Sequence, residues 1–145
     1  AQRLAFAPLL FQATLELRRR GVLEALLGAP EGLTPSEVAE RVGLSDYGAR
    51  VLLEAGLAAE VVRLEGERYL PTSVGLLVAR DAMTRVNFDF SADVCFAASA
   101  YLGASLDEGR AVGLAELGPW ATVYEGLARL PEPARTSWFS FDHFY

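Results

Sequence analysis

One histidine, one cysteine and no lysine leave this 145-residue chain short of the side chains that most often do chemistry. Nucleophilic catalysis by a Ser-His-Asp or Cys-His arrangement needs a histidine held beside its partner. His143, the only one, lies at the very end of the sequence, and its neighbour Asp142 would point elsewhere from a helix. Cys95 and His143 cannot assemble a zinc set between them, and no run of carboxylates has calcium-loop spacing. No two glycines have GxG spacing, so a loop for a dinucleotide or nucleoside phosphate is missing. These absences predict a chain with no catalytic, cofactor-binding or metal-binding residues of its own. The lone cysteine excludes an internal disulfide, and no export-signal pattern opens the sequence, so the expectation is a cytoplasmic protein. Nor is there a run of about 18 apolar residues from which a membrane-spanning helix could be made.

What is present is an acidic, apolar domain. The chain is 52% hydrophobic with a formal net charge of −6, and all thirteen basic residues are arginine. Its length is that of one ordinary domain able to bury a real core. A polyphosphate partner is repelled at long range unless a local basic face overcomes the total.

Residues 1 to 20, "AQRLAFAPLLFQATLELRRR", predict a helix with Leu4, Ala7, Phe11 and Leu15 at helical spacing. A second set, Phe6, Leu9, Leu10 and Leu17, widens the apolar stripe almost all round, and Pro8 predicts a kink or a restart. Such a helix needs cover on more than one side, from a partner subunit or from a central place in the core. "GVLEALLGAPEG" gives a second, short helix stopped by Gly28 and Pro30. In "LTPSEVAERVGLSDYGARVLL", Thr34 as N-cap, Pro35 at the first position and Glu37 three after the cap form a capping box. Gly43 breaks that helix, Ser45 caps the next, and Ala49, Leu52, Leu53 and Leu57 recur along it. The period then turns strand-like in "VVRL", "EGE" and "RYLP", a hairpin offering Val62, Leu64, Tyr69 and Leu70 to the helices. Thr72 caps a further helix, "SVGLLVAR".

Three helices and a ribbon describe a winged helix, whose obvious ligand is DNA. A reading helix needs Arg, Lys, Asn or Gln at base edges and cations near phosphates. Here it offers Asp46, Tyr47, Arg50 and Glu54. From Thr34 to Leu70 seven acids (Glu37, Glu40, Asp46, Glu54, Glu60, Glu65, Glu67) outnumber four arginines (Arg41, Arg50, Arg63, Arg68), and the wing tip carries Glu65 and Glu67. The architecture of a reader is paired with the wrong chemistry, which points to a scaffold.

From Asp81 to Ala104 one long helix is expected, with a break near Asn87 to Ser91, and polar "SLDEGRAVG" interrupts it. The tail, "LGPWATVYEGLARLPEPARTSWFSFDHFY", predicts two helices split at Pro131 and Pro133. Its aromatic density, Trp120, Tyr124, Trp138, Phe139, Phe141, Phe144 and Tyr145, calls for cover. The fold class is therefore mainly α, a winged-helix-like helical domain with a small β-hairpin wing and additional long helices for dimerisation. Residues 1–80 hold the N-terminal helix and the winged helix-turn-helix, and residues 81–145 a helical extension.

The segments "GVLEALLGAPEGLTPSEVAERVGLSDYGARVLLEAGLAAEVV", "RLEGERYLPTSVG" and "GPWATVYEGLARLPEPARTSWFSFDHFY" resemble the N-terminal region of class I SAM-dependent O-methyltransferases. There a mostly helical, winged-helix-like dimerisation domain precedes a Rossmann-like catalytic domain. The resemblance implies a homodimer, with S-adenosyl-L-methionine bound by a catalytic domain that would follow residue 145, and no catalytic residue here. It also implies that this region closes one wall of the acceptor pocket, where Trp120, Trp138, Phe141 and Phe144 would meet a small aromatic or polyketide-like acceptor or serve as packing. Two other readings stand beside it: a stand-alone dimeric winged-helix transcriptional regulator with a small-molecule effector, and an interaction domain whose tail docks another protein.

Overall fold

A computed structural model describes residues 1–145 as a mostly helical protein with one two-stranded antiparallel hairpin. The chain divides into two compact units, Ala1–Asp81 and Ala82–Tyr145.

The first unit begins with α1 (Gln2–Arg19), which runs through Pro8 without the expected restart. The proline ring leaves the Leu4 carbonyl without its helical partner, but Leu4 is open to water, which can serve that carbonyl instead. Leu15 and Leu17 are buried at the far end of the helix. Gly21, at φ 74°, turns the chain into α2 (Val22–Leu27), and both are followed by α3 (Pro35–Val42) and α4 (Asp46–Ala58). The capping box forms as the spacing predicts: the Glu37 N–H donates to Thr34 Oγ1 (3.3 Å), and the Thr34 N–H donates to Glu37 Oε2 (2.8 Å). Gly43 ends α3 at φ 69°, where a side chain would be strained, and Ser45 Oγ accepts the Gly48 N–H to start α4. Val38, Ala49 and Leu53 meet the buried ends of α1 and α2 in one core.

Strands β1 (Val62–Glu65) and β2 (Arg68–Pro71) pair with Val62 opposite Pro71 and Glu65 opposite Arg68. Leu33 adds a bridge to Tyr69 on the free edge of β2, exchanging both backbone hydrogen bonds (2.8 and 3.0 Å). Val62 and Tyr69 cover the helices as expected, but Leu64 does not. It shares the face of Val62 by alternation, yet sits one step from the tip, and the strand has outrun the helical layer. Thr72 Oγ1 then accepts the Gly75 N–H and donates to the Glu60 carbonyl, tying the start of α5 (Ser73–Arg80) to the end of the α4 connection. A Cβ on Gly75 would run into the Val61 carbonyl, so only glycine lets α5 lie this close.

In the second unit the expected long helix is wound in three ways. α6 (Ala82–Phe90) passes into a π-helical turn (Ser91–Cys95) and then into α7 (Phe96–Ser99). The helix stops there, short of Ala104, and α8 (Leu102–Glu108) runs through the segment expected to be a polar interruption. Ser105, Asp107 and Glu108 suit an exposed helix as well as a loop, which polarity alone cannot distinguish. A 3₁₀ turn (Val112–Glu116) rests Gly113 against the Ala98 carbonyl, and the tail forms α9 (Val123–Gly126) and α10 (Ala134–Phe144) around the two prolines. α10 packs on α6, with Val94, Leu130, Ala134 and Ser137 buried.

Candidate functional site

Three surfaces carry the residues singled out by the sequence. The first is the front of α1. Every residue from Ala1 to Leu9 is exposed, including Leu4 (82%), Phe6 (53%) and Leu9 (67%). Gln2, Arg3, Phe6, Leu9, Leu10 and Ala58 line a shallow groove of about 400 Å³ between this helix and the end of α4. Arg3 reaches Glu60 across its edge (2.8 Å). Exposed ion pairs of this kind contribute about 1 kcal/mol or less. Their value here is to neutralise the one charge on the helix front.

The second surface is the outer side of α4 with the hairpin tip. Tyr47 is 78% exposed beside exposed Arg50 and Glu54. Glu65 is paired with Arg63 on its own strand, and Glu67 is exposed. The second basic residue of the hairpin faces inward: Arg68 donates to the Gly32 carbonyl (2.9 Å) and to both oxygens of Glu37 (3.0 and 3.3 Å). The Thr34 N–H and then Arg68 hold the Glu37 carboxyl below the usual carboxylate range. Two of the four arginines counted for this region are thus committed to carboxylates of the same chain. What faces outward is an aromatic ring among mixed charges.

The third surface is aromatic and belongs to the second unit. α10 stacks Phe141 on Phe90 of α6 at 4.2 Å and brings Trp138 to 5.6 Å of the same ring. Tyr145 lies 4.9 Å from Phe141 and 5.8 Å from Phe144, and its hydroxyl donates to Asn87 Oδ1 (3.1 Å). Tyr124 meets Trp138 edge-on at 6.3 Å. Such ring pairs contribute about 0.5–1.5 kcal/mol beyond their burial. The ledge is pinned beneath by Ser137, whose hydroxyl donates to Asp93 Oδ2 (2.6 Å) in the π-helical turn. Of the four expected acceptor contacts, Trp138 and Phe141 come together, half-buried, and Phe144 stands at the edge, 46% exposed. Trp120 is elsewhere. Its ring lies against Gly118 and Gly126, where a Cβ would collide with it, and the Arg129 guanidinium covers it at 5.5 Å. That is a packed, structural setting.

Sequence reasoning did not mark Phe90, Asn87 and Asp93 as parts of this ledge. Asp93 left one signal, the single charged residue inside "SADVCFAASA". Ser140, Asp142 and His143 line a depression on the outer side of α10 with Arg135, Thr136 and Phe139, side by side on one helix rather than converging on a point. Burial pushes the Cys95 thiol upward, away from the thiolate that a nucleophile requires.

Comparison with known proteins fits this anatomy. Residues 1–69 match the family model of the Dimerisation2-like domain. No curated protein matches by sequence. Solved structures do match in fold. The SAM-dependent methyltransferase SibL, in its apo form, superposes with a TM-score of 0.81 at 22% identity, over 97% of this chain and 42% of its own. Human N-acetylserotonin methyltransferase in complex with SAM gives 0.76 at 20%, over 97% and 43%. The N,N-8-amino-8-demethyl-D-riboflavin dimethyltransferase RosA from Streptomyces davawensis gives 0.68 at 22%, over 99% and 43%. This chain therefore spans less than half the length of the structures it resembles. The fold is that of the corresponding part of these methyltransferase structures, and residues 1–69 within it match the Dimerisation2-like domain.

Proposed function

We propose that this chain, a dimerisation domain of the methyltransferase kind, is the homodimerising and acceptor-shaping portion of a longer SAM-dependent O-methyltransferase. The observation that carries the reading is the exposed apolar front of α1, whose one charge, Arg3, is paired with Glu60, and which lies inside the residues matched to the Dimerisation2-like domain. Leaving Leu4, Phe6 and Leu9 in water forfeits roughly 1.5–3 kcal/mol per large side chain that burial would return. A second protein surface is the natural cover.

S-adenosyl-L-methionine does not fit the residues present. Its binding in a Rossmann-like domain needs a parallel strand leading through a glycine-rich loop into a helix. The sheet here is an antiparallel hairpin, and its one turn glycine, Gly66, stands between two glutamates. Methyl transfer belongs to the remainder of the longer protein, and no step of it is assigned to this chain. The contribution of residues 82–145 is shape: the Phe90, Trp138 and Phe141 ledge, with Phe144 at its rim, supplies a flat apolar wall suited to a small aromatic or polyketide-like acceptor. Trp120, packed against Gly118 and Gly126 and covered by Arg129, is apart from the rings of that wall.

The test is the mass of the protein in its native source, followed by kinetics of that species. A polypeptide longer by about 150–200 residues, the size of one catalytic domain, that binds SAM is the expected result. In it Phe144→Ala raises the acceptor KM while the SAM Kd stays unchanged. A native species of 145 residues overturns the proposal.

A further inference from the structure

We propose that the gap between the hairpin tip and helices α3 and α4 is a binding site for a small zwitterion, a free amino acid with an apolar side chain. The site lies wholly within Ala1–Asp81 and is independent of the acceptor wall proposed for residues 82–145.

The register of the hairpin makes the gap. Leu64 and Tyr69 are directly opposed across β1 and β2, so their side chains share one face of the ribbon. Tyr69 reaches the helical layer and is buried, whereas Leu64, where the strand outruns that layer, stays 46% exposed. Between them and the two helices remains a cavity of about 330 Å³, lined by Thr34, Pro35, Arg50, Leu64, Glu67 and Tyr69, with Gly66 of the tip at its edge. That size lies at the lower end of small-molecule sites.

The polar groups around this cavity are unspent. Tyr69 is only 7% exposed; its backbone N–H and carbonyl are bonded to Leu33, but its hydroxyl has no partner in the protein. A buried tyrosine ordinarily gives its hydroxyl one. Protein atoms do not seal this hydroxyl, so a ligand in the cavity can reach it. Arg63 and Arg68 of the hairpin are tied to Glu65 and Glu37, whereas no carboxylate of the chain pairs with the Arg50 guanidinium. Glu67 likewise has no cation beside it. Thr34 Oγ1 accepts the Glu37 N–H and keeps its own hydrogen to donate.

Charge selects the ligand. Arg50 only donates, and the Tyr69 and Thr34 hydroxyls each have a hydrogen to give, a set that suits a carboxylate. Glu67 only accepts, which suits an ammonium group. A simple anion would meet Glu67 in the site and a net −6 on approach, while a simple cation would meet the unpaired Arg50. A zwitterion answers both groups and, being neutral, approaches without that repulsion. Pro35 and Leu64 offer its side chain an apolar surface.

Two-dimensional amide NMR tests this with three probes of one shape: L-leucine, isocaproate, which lacks the amine, and isoamylamine, which lacks the carboxylate. The expected result is saturable shifts with L-leucine at the Gly66, Glu67 and Tyr69 amides and the Arg50 side-chain N–H. The other two probes bind roughly tenfold or more weakly, as for the loss of one charge-assisted bond. Arg50→Gln and Tyr69→Phe should each raise the leucine Kd by a similar factor, and Glu67→Gln should bring isocaproate level with leucine. Arg50 and Glu67 are exposed and Tyr69→Phe keeps the buried ring, so circular dichroism should show the fold intact. No saturable shift at about 10 mM leucine, where even a site with a Kd of about 1 mM would be mostly filled, overturns the site. Binding unchanged by both Arg50→Gln and Tyr69→Phe places the ligand elsewhere and overturns it as well. Isocaproate or isoamylamine binding to the unaltered protein as tightly as leucine overturns the zwitterion.

Discussion

The Glu37 carboxylate accepts from the Thr34 N–H and from Arg68, and both bonds hold its pKa below the ordinary 4.5. A carboxyl whose folded pKa is depressed contributes stability that is complete above the unfolded value and is lost as pH falls through the folded one. Thermal unfolding followed by circular dichroism should therefore show a midpoint that drops below pH 4.5, and Glu37→Gln should flatten that drop while lowering the midpoint at neutral pH. The Glu24 carboxyl, lowered by its bonds from Arg80, acts in the same window, so the flattening will be partial. The capping half of this arrangement was legible in "TPSE" because all its partners lie within four residues. The Arg68 half was not, since 31 residues separate the pair and only the fold closes the distance. The packing around Trp120 was hidden for a related reason: the two glycines that receive its ring looked like ordinary loop residues. Gly126→Ala should cost about 1–3 kcal/mol in urea unfolding, the range for overpacking a filled site.

At the scale of elements, helix starts and stops were readable wherever local chemistry sets them: Gly28, Thr34, Gly43, Ser45 and Thr72 all stand at the boundaries observed. Windings set by tertiary contact were not readable. The π-helical turn lies in sequence with no glycine or proline to announce it, and its visible function is to present Asp93 to Ser137 beneath the aromatic ledge. Asp93→Leu leaves the buried Ser137 hydroxyl without this acceptor. A loss of about 1–3 kcal/mol is expected in urea unfolding, with Ser137→Ala in the same background restoring part of it. A restored double variant would establish that the cost lies in the orphaned hydroxyl rather than in the winding. Thr34→Ala, which removes one cap bond from α3, should cost about 1 kcal/mol by the same measurement.

For the molecule as a whole, the sequence revealed best what the chain leaves unfinished. An over-apolar first helix and a ring-rich tail both called for cover, and the structure leaves the front of the one and the rim of the other exposed. The identity of the proposed acceptor was not legible, because apolar ring surfaces accept many ring systems. Net charge yields a further prediction. Copies carrying −6 repel over a Debye length of about 10 Å at 0.1 M salt but only about 3 Å at 1 M. Dimerisation should tighten as salt rises, whereas binding to DNA would weaken; sedimentation and fluorescence anisotropy read the two trends directly. Finally, both tryptophans, Trp120 and Trp138, lie in the unit from Ala82 to Tyr145, and the unit from Ala1 to Asp81 has none. Emission excited at the red edge of protein absorption is therefore a private reporter of the second unit, while circular dichroism sees the helices of both. Coincident melting curves from the two probes would mark one cooperative transition, and separated curves would give the stability of the α1 to α5 unit without cutting the chain.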